Sequence, residues 1–173
     1  QLNQNELLKL GEISQSFYNE ESKRSKEIGC YKSHFNIYNL INNNLNKKKY
    51  SVVLEDDFNV ISENINEKME TLLNNISDLD FDIIFLGNTF PNNSIDKIKD
   101  DLYLIDKNKY TMGTVAYLNN NKNIDKIINL TKLIDAPIDN KLDTLIKNNL
   151  LNAFVIYPNL INYIAESKSS IID

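Results

Sequence analysis

The sequence predicts an α/β fold, a mostly parallel sheet with helices on both faces, and three observations predict it. Short apolar runs rich in β-branched residues, Tyr50–Leu54, Phe81–Leu86 and Ala153–Tyr157, have the length of buried strands. Intervening segments repeat their apolar residues at steps of three and four, the spacing of one helical face. The order strand, helix, strand implies right-handed crossovers between parallel strands. A chain of 173 residues with 42% hydrophobic content can bury one substantial core, and no linker or repeat divides it, so residues 1–173 are read as a single domain.

The first 26 residues are polar, with one apolar cluster (Leu7, Leu8, Leu10, Ile13) and the pair Phe17-Tyr18, and read as a short helix leading into a mobile loop. From Glu27 the series Ile28, Tyr31, Phe35, Tyr38, Ile41, Leu45 marks an amphipathic helix that Asn42-Asn43-Asn44 ends. The run Tyr50–Leu54 stops abruptly at Glu55-Asp56-Asp57, a strand with charge at its C-terminal end. A helix over 64–77 (Ile65, Met69, Leu72, Leu73, Ile76) precedes Phe81–Leu86, which ends at Gly87. Pro91–Asp101 is polar and reads as a surface loop, followed by a weak strand at Leu102–Ile105 and a better one at Thr114–Leu118. Asn123–Leu133 is helical by spacing, Pro137 opens a helix to about residue 150 as a first-turn proline, and the strand Ala153–Tyr157 ends at Pro158.

Composition excludes several roles. With a net charge of -5 and Lys scattered among Asp and Glu, no basic face neutralises a phosphate backbone, so no nucleic acid is expected as partner. No apolar run approaches the roughly 20 residues that span a bilayer, so no membrane span is expected. The chain begins at Gln1 rather than Met, as expected of a processed or truncated product, and does not report its own compartment. The single cysteine, Cys30, has no disulfide or structural-zinc cysteine partner and reads as a small, partly buried residue. Asn, Ile and Lys abound, so the glycosylation-type triplets at Asn75, Asn92 and Asn129 read as accidents of composition.

Ligands of open α/β sheets sit at the C-terminal ends of strands, which places Glu55, Asp56 and Asp57 at the functional edge. Adjacent carboxylates raise one another's pKa unless a cation or solvent relieves them, and Mn²⁺ or Mg²⁺ takes hard oxygen ligands while leaving positions for a diphosphate. Taken alone, the same cluster reads equally as a solvated turn. Glu27, Cys30 and His34 share one edge of the helix, with Ser33 beside them. In isolation, such a histidine is a packing or capping residue. A second acidic group contains Asp135, Asp139 and Asp143. Asp139 serves the helix dipole in a first turn, or removes a proton from an acceptor hydroxyl as general base; both readings stand.

The run Glu27-Ile28-Gly29-Cys30-Tyr31-Lys32-Ser33-His34, then Val52-Val53-Leu54-Glu55-Asp56-Asp57, is similar in order and spacing to the paired signatures of glycosyltransferase family 25. Phe81–Gly87, Gly113-Thr114-Val115-Ala116-Tyr117, Pro137-Ile138-Asp139 and Tyr157-Pro158 resemble its later landmarks, so the likeness runs from about Lys26 onward. The resemblance implies a GT-A-like, Rossmann-like nucleotide-sugar fold and inverting, metal-dependent transfer of galactose or glucose from a UDP-sugar. The acceptor hydroxyl would belong to a glycan, lipopolysaccharide or collagen-like chain. It further implies that Glu55 and Asp57 hold Mn²⁺ (or Mg²⁺), with Asp56 beside them. Glu27, Ser33 and His34 would line the donor or acceptor pocket, and Asp139 and Asp57 would be the catalytic carboxylates. One departure is that no strand with an Ile-Asn-Leu type motif and downstream Arg precedes Glu27, so the family's N-terminal nucleotide-binding strand is read as lacking.

Two rival readings follow. A receiver domain of two-component signalling also carries an acidic first strand, but its phosphorylatable Asp is replaced by the Gly87 that ends the next run. A non-catalytic glycosyltransferase-like binding or structural module is the alternative that the departure at the N-terminus supports.

Overall fold

The computed structural model describes residues 4–19, 24–44, 48–87, 94–109 and 113–164. Predicted features at Leu45, Pro91 and Asn92 lie outside them. Two short helices, α1 (Gln4–Lys9) and α2 (Gln15–Asn19), precede the long α3 (Arg24–Asn43). Then come β1 (Tyr50–Leu54), β2 (Phe58–Val60), α4 (Ile65–Asn75), β3 (Ile83–Gly87), β4 (Ser94–Lys99), β5 (Leu102–Ile105) and β6 (Ala116–Asn120). A 3₁₀ turn at Asn121–Asn123, α5 (Ile124–Thr131), α6 (Ile138–Lys147), β7 (Ala153–Ile156) and β8 (Ile161–Tyr163) complete the order.

The expected α/β class holds, but the sheet's parallel character is only partial. Its six strands lie in the order β1-β6-β3-β7-β5-β4. Only β3 and β7 pair in parallel; β1 with β6, β6 with β3, β7 with β5 and β5 with β4 are antiparallel. β1 and β3 still point the same way, as the crossover through α4 requires, but β6 inserts between them. A strand-helix-strand pattern sets the relative direction of its strands, not their adjacency.

Alternate residues of the central strands feed two cores, as a pleat with both faces covered must. Ile83 and Phe85 of β3, Tyr117 of β6 and Val155 of β7 join Leu7, Phe17, Ile28, Tyr31, Tyr38, Ile127 and Leu142 from the helices of one face. Ile84, Leu86, Leu118 and Phe154 join Leu72 of α4 and Ile76 just after it, with Leu160 and Ile161, the first residue of β8, on the other. Helices therefore lie on both faces, and burying either large side-chain set contributes about 1.5–3 kcal/mol per residue.

Several segments differ from expectation. The stretch read as the loop Pro91–Asp101 contains β4, whose Asp96, Lys97 and Lys99 are exposed at the sheet edge; charge on an edge strand discourages pairing with other chains and masks the strand signal. The N-terminal segment is not merely a lead-in, since Leu7, Ile13 and Phe17 are buried and Ile13 forms a parallel bridge with Ile134. β2 and β8, unanticipated, make a separate two-stranded antiparallel ribbon. Pro137 is the N-cap of α6 rather than its first residue. Asp82, at the mouth of β3, is a buried carboxylate whose Oδ2 accepts from Lys126 Nζ at 2.6 Å and from the Asn152 amide at 2.7 Å, which ties β3 to α5 and to the start of β7.

Gly87 ends β3 because the backbone of Ile161 passes directly over it. A Cβ there would sit 2.0 Å from the Ile161 carbonyl oxygen and 2.9 Å from its carbon. Gly87→Ala is accordingly expected to destabilise the chain by at least about 1–3 kcal/mol, the usual cost of overpacking, in urea unfolding. A variant as stable as the parent would show that the β2–β8 ribbon retreats freely.

Candidate active site

The site forms where β1 ends and β6 begins. Because β6 runs antiparallel to β1 with Leu54 opposite Ala116, the residue after β1, Glu55, comes beside the residues before β6. The Glu55 amide donates to the Val115 carbonyl at 3.0 Å, and the Thr114 hydroxyl makes a short hydrogen bond to Glu55 Oε1. On the other side stands α3, presenting His34 one helical turn after Cys30.

His34 is 3% exposed and sits against the sheet rather than in solvent. Its ring stacks near that of Tyr117, with centroids 5.7 Å apart. Nδ1 lies 2.7 Å from the Tyr117 hydroxyl, and Nε2 lies 3.2 Å from Glu55 Oε1. The Tyr117 hydroxyl donates to the Tyr38 hydroxyl at 2.9 Å, so its oxygen accepts from His34 Nδ1–H. With that hydrogen committed, a bond between Nε2 and a carboxylate oxygen needs a cation at Nε2, either a second proton or a metal ion. Burial is the first cause that raises the Tyr117 pKa well above its ordinary value, with nearby Tyr38 and Glu55 adding to it, so this phenol stays neutral.

Partial desolvation alone would push Glu55 up, but the hydrogen bonds from His34 and Thr114 and the charge on His34 outweigh it, and its pKa falls below the ordinary value. Both of those bonds go to Oε1; the second oxygen has none among the described residues.

Glu55 forms one wall of an open cleft of about 430 Å³ lined also by Glu27, Cys30, Gly113, Thr114, Pro137 and Asp139. The structure thus brings together Glu27, Glu55 and Asp139, which lie far apart in sequence. It also separates the second acidic group. Asp135 is paired with Lys141 at 2.7 Å and buried Asp143 with Lys147 at 2.7 Å, whereas Asp139 turns to the cleft in the first turn of α6. Asp139 Oδ1 accepts from the Asn140 amide at 2.8 Å.

The remaining predicted residues take distinct places. Ser33 is exposed and donates to the Gly29 carbonyl at 3.0 Å on its own helix, away from the cleft lining. His34 stands behind Glu55 rather than in the cleft. Asp56 is exposed in the turn after β1, and Asp57 follows it with its carbonyl held by the Ile164 amide at 2.8 Å. Asp57 Oδ1 is buried without a hydrogen-bond partner, an uncompensated state for a carboxylate oxygen that a cation would relieve. The Cys30 thiol reports the summed field. It keeps an exposed edge yet is pushed up to about 11, first by partial desolvation and then by Glu55, Asp139, Asp56 and Asp57 in that order.

Thr114, Tyr117 and Tyr38 were not anticipated as site residues. Tyr38 and Tyr117 read as apolar members of a helix face and a strand, and nothing local in the sequence signals that their hydroxyls meet behind His34. No helix among the described residues is long and apolar enough to cross a membrane.

A protein-family model described as glycosyltransferase family 25 (LPS biosynthesis protein) matches residues 2–142. It therefore takes in α1 and α2 as well as the motifs from Lys26 to Asp139, and ends before Tyr157-Pro158. No curated protein matches the chain.

Because the folded pKa of Glu55 is depressed, the stability it contributes is fully present above the ordinary glutamate value and is lost as pH falls through the folded one. In acid-range thermal melts the parent should lose stability over that window more steeply than Glu55→Gln. Parallel curves would mean that the His34 and Thr114 bonds add nothing.

Proposed function

Because the chain belongs to glycosyltransferase family 25, we propose that it transfers a hexose, galactose or glucose, from a UDP-sugar to an acceptor hydroxyl on a glycan of the lipopolysaccharide type, with inversion and with the help of Mn²⁺ or Mg²⁺. The observation that supports this most is the convergence of Glu27, Glu55 and Asp139 on one open cleft beside the acidic turn. The arrangement has the concavity, the acids and the strand-end position expected of a GT-A-type donor site.

The residues present fit a hard divalent cation. The orphaned Asp57 Oδ1 and the uncommitted second oxygen of Glu55 are oxygen donors of the type Mn²⁺ and Mg²⁺ select. Asp57 and Glu55 would hold the ion, with exposed Asp56 adding negative potential. When bound, the ion supplies charge stabilisation to the departing diphosphate.

The chain's own groups do the rest. Asp139, held by the Asn140 amide at the start of α6, accepts the proton of the acceptor hydroxyl as that oxygen attacks the anomeric carbon. Glu27, on the facing helix, takes hydrogen bonds from sugar or acceptor hydroxyls at the same wall. His34, Thr114 and Tyr117 position Glu55 rather than touch substrate, since two donors on Oε1 fix its carboxylate plane.

Calorimetric titration of UDP-galactose and UDP-glucose with and without Mn²⁺ tests the reading. Binding should require Mn²⁺ and vanish in Asp57→Ala. Asp139→Asn should retain donor binding while losing about 10²–10⁴-fold in kcat toward acceptor. Donor binding indifferent to both Mn²⁺ and Asp57 would defeat the assignment of the acidic turn, and full turnover in Asp139→Asn would remove Asp139 from the chemistry.

A further inference from the structure

We propose that Cys30, His34 and Glu55 form a binding site for a thiophilic divalent cation, Zn²⁺, in the wall of the cleft and distinct in chemistry from the hard-cation turn. Its place beside a sugar donor rests on the reading above; its ligand chemistry does not.

The Cys30 Sγ, a ring nitrogen of His34 and a carboxylate oxygen of Glu55 all lie within 4.8 Å of one another. One thiolate, one imidazole and one carboxylate make the borderline-soft donor set that Zn²⁺ prefers, and a poor set for Mg²⁺ or Mn²⁺. Bonds of about 2.3 Å to sulfur and about 2.0 Å to nitrogen require these atoms to close by about an ångström. Cys30 is exposed and in no disulfide, and a change at its χ1 is the adjustment that would close them.

The surroundings are already arranged for a ligand histidine. Nδ1–H is bonded to the Tyr117 oxygen, and Tyr117 is bonded in turn to Tyr38, which holds Nδ1 as the donor and leaves Nε2, facing Glu55, as the nitrogen whose proton a metal ion would displace. That is the outer-shell pattern of metal-bound histidine, in which the nitrogen remote from the ion donates to a fixed oxygen. Thr114 restrains the carboxylate in the same way. The Glu55 and Asp139 carboxylates line the same cleft as Cys30 and favour a dication there, which would displace the thiol proton on binding. Three protein ligands leave a fourth position, and Cys30 and Glu55 both line the cleft into which it would open.

The chain has one cysteine and one histidine, so spectroscopy of the site is unambiguous. Co²⁺ titrated into the reduced protein should give a thiolate-to-metal charge-transfer band with the intense visible bands of four-coordinate cobalt, and stoichiometric Zn²⁺ should abolish both. Cys30→Ser should lose the thiolate band and weaken Zn²⁺ binding at least about tenfold in competition with a chromogenic chelator. Tyr117→Phe, close in shape to the parent, should keep the band but bind Zn²⁺ about 10-fold more weakly. A folded parent that shows no thiolate band, or a band that survives Cys30→Ser, would overturn the proposal. Asp57→Ala separates the two readings, because it should leave the cobalt spectrum intact while Mn²⁺-dependent donor binding disappears. A cobalt spectrum lost along with donor binding in that variant would mean that there is a single mixed cation site and no separate thiophilic one.

Discussion

The arrangement depends on one buried contact, the imidazole of His34 held between the Tyr117 hydroxyl and the Glu55 carboxylate. A polar side chain that is 3% exposed must have its hydrogen bonds satisfied or it costs on the order of 1–3 kcal/mol per unmet group, so its partners are fixed with it. Tyr117 stands on β6, Glu55 at the end of β1, and His34 and Tyr38 on α3. The contact therefore sets the rotation of α3 and its position along the sheet at once. Cys30 and Glu27 reach the cleft because His34, on the same edge of that helix, cannot turn away.

The second constraint is the antiparallel insertion of β6 between β1 and β3. A purely parallel arrangement would bring only strand ends and following loops to the site. With β6 reversed, the residues that precede a strand, Gly113 and Thr114, are delivered to the same edge as those that follow β1. Glu55 thus receives a backbone bond and a hydroxyl from a segment that runs toward it.

Much of this was legible in the sequence. β1 appears over the predicted residues, α3 carries the predicted buried face at Ile28, Tyr31 and Tyr38, and β3 and β7 were marked by their apolar runs. Glu27, Glu55 and Asp139 were singled out and share a cleft. What was not legible is tertiary in origin. Strand adjacency follows from competition among edges rather than from local pattern, so β6 between β1 and β3 left no trace. β4 is charged, with only two apolar residues among six, and so looks like a loop. Leu7, Ile13 and Phe17 are too widely spaced to signal a helix face, yet each is buried by the same helical layer. The split among Asp135, Asp139 and Asp143 required knowing where Lys141 and Lys147 point.

The cleft's walls come from distant parts of the chain, and this has a kinetic consequence. His34 meets Tyr117 across 83 residues, Thr114 meets Glu55 across 59, and Tyr31 reaches the Thr131 carbonyl across 100. Loop closure over such separations must be completed before these contacts return any stabilisation, and folding slows as contacts become less local. The site is consequently a late product of folding. On a ribosome, Glu55 emerges long before the segment that restrains it, so α3 and β1 must wait, with apolar faces uncovered, until α5 and α6 have been synthesised.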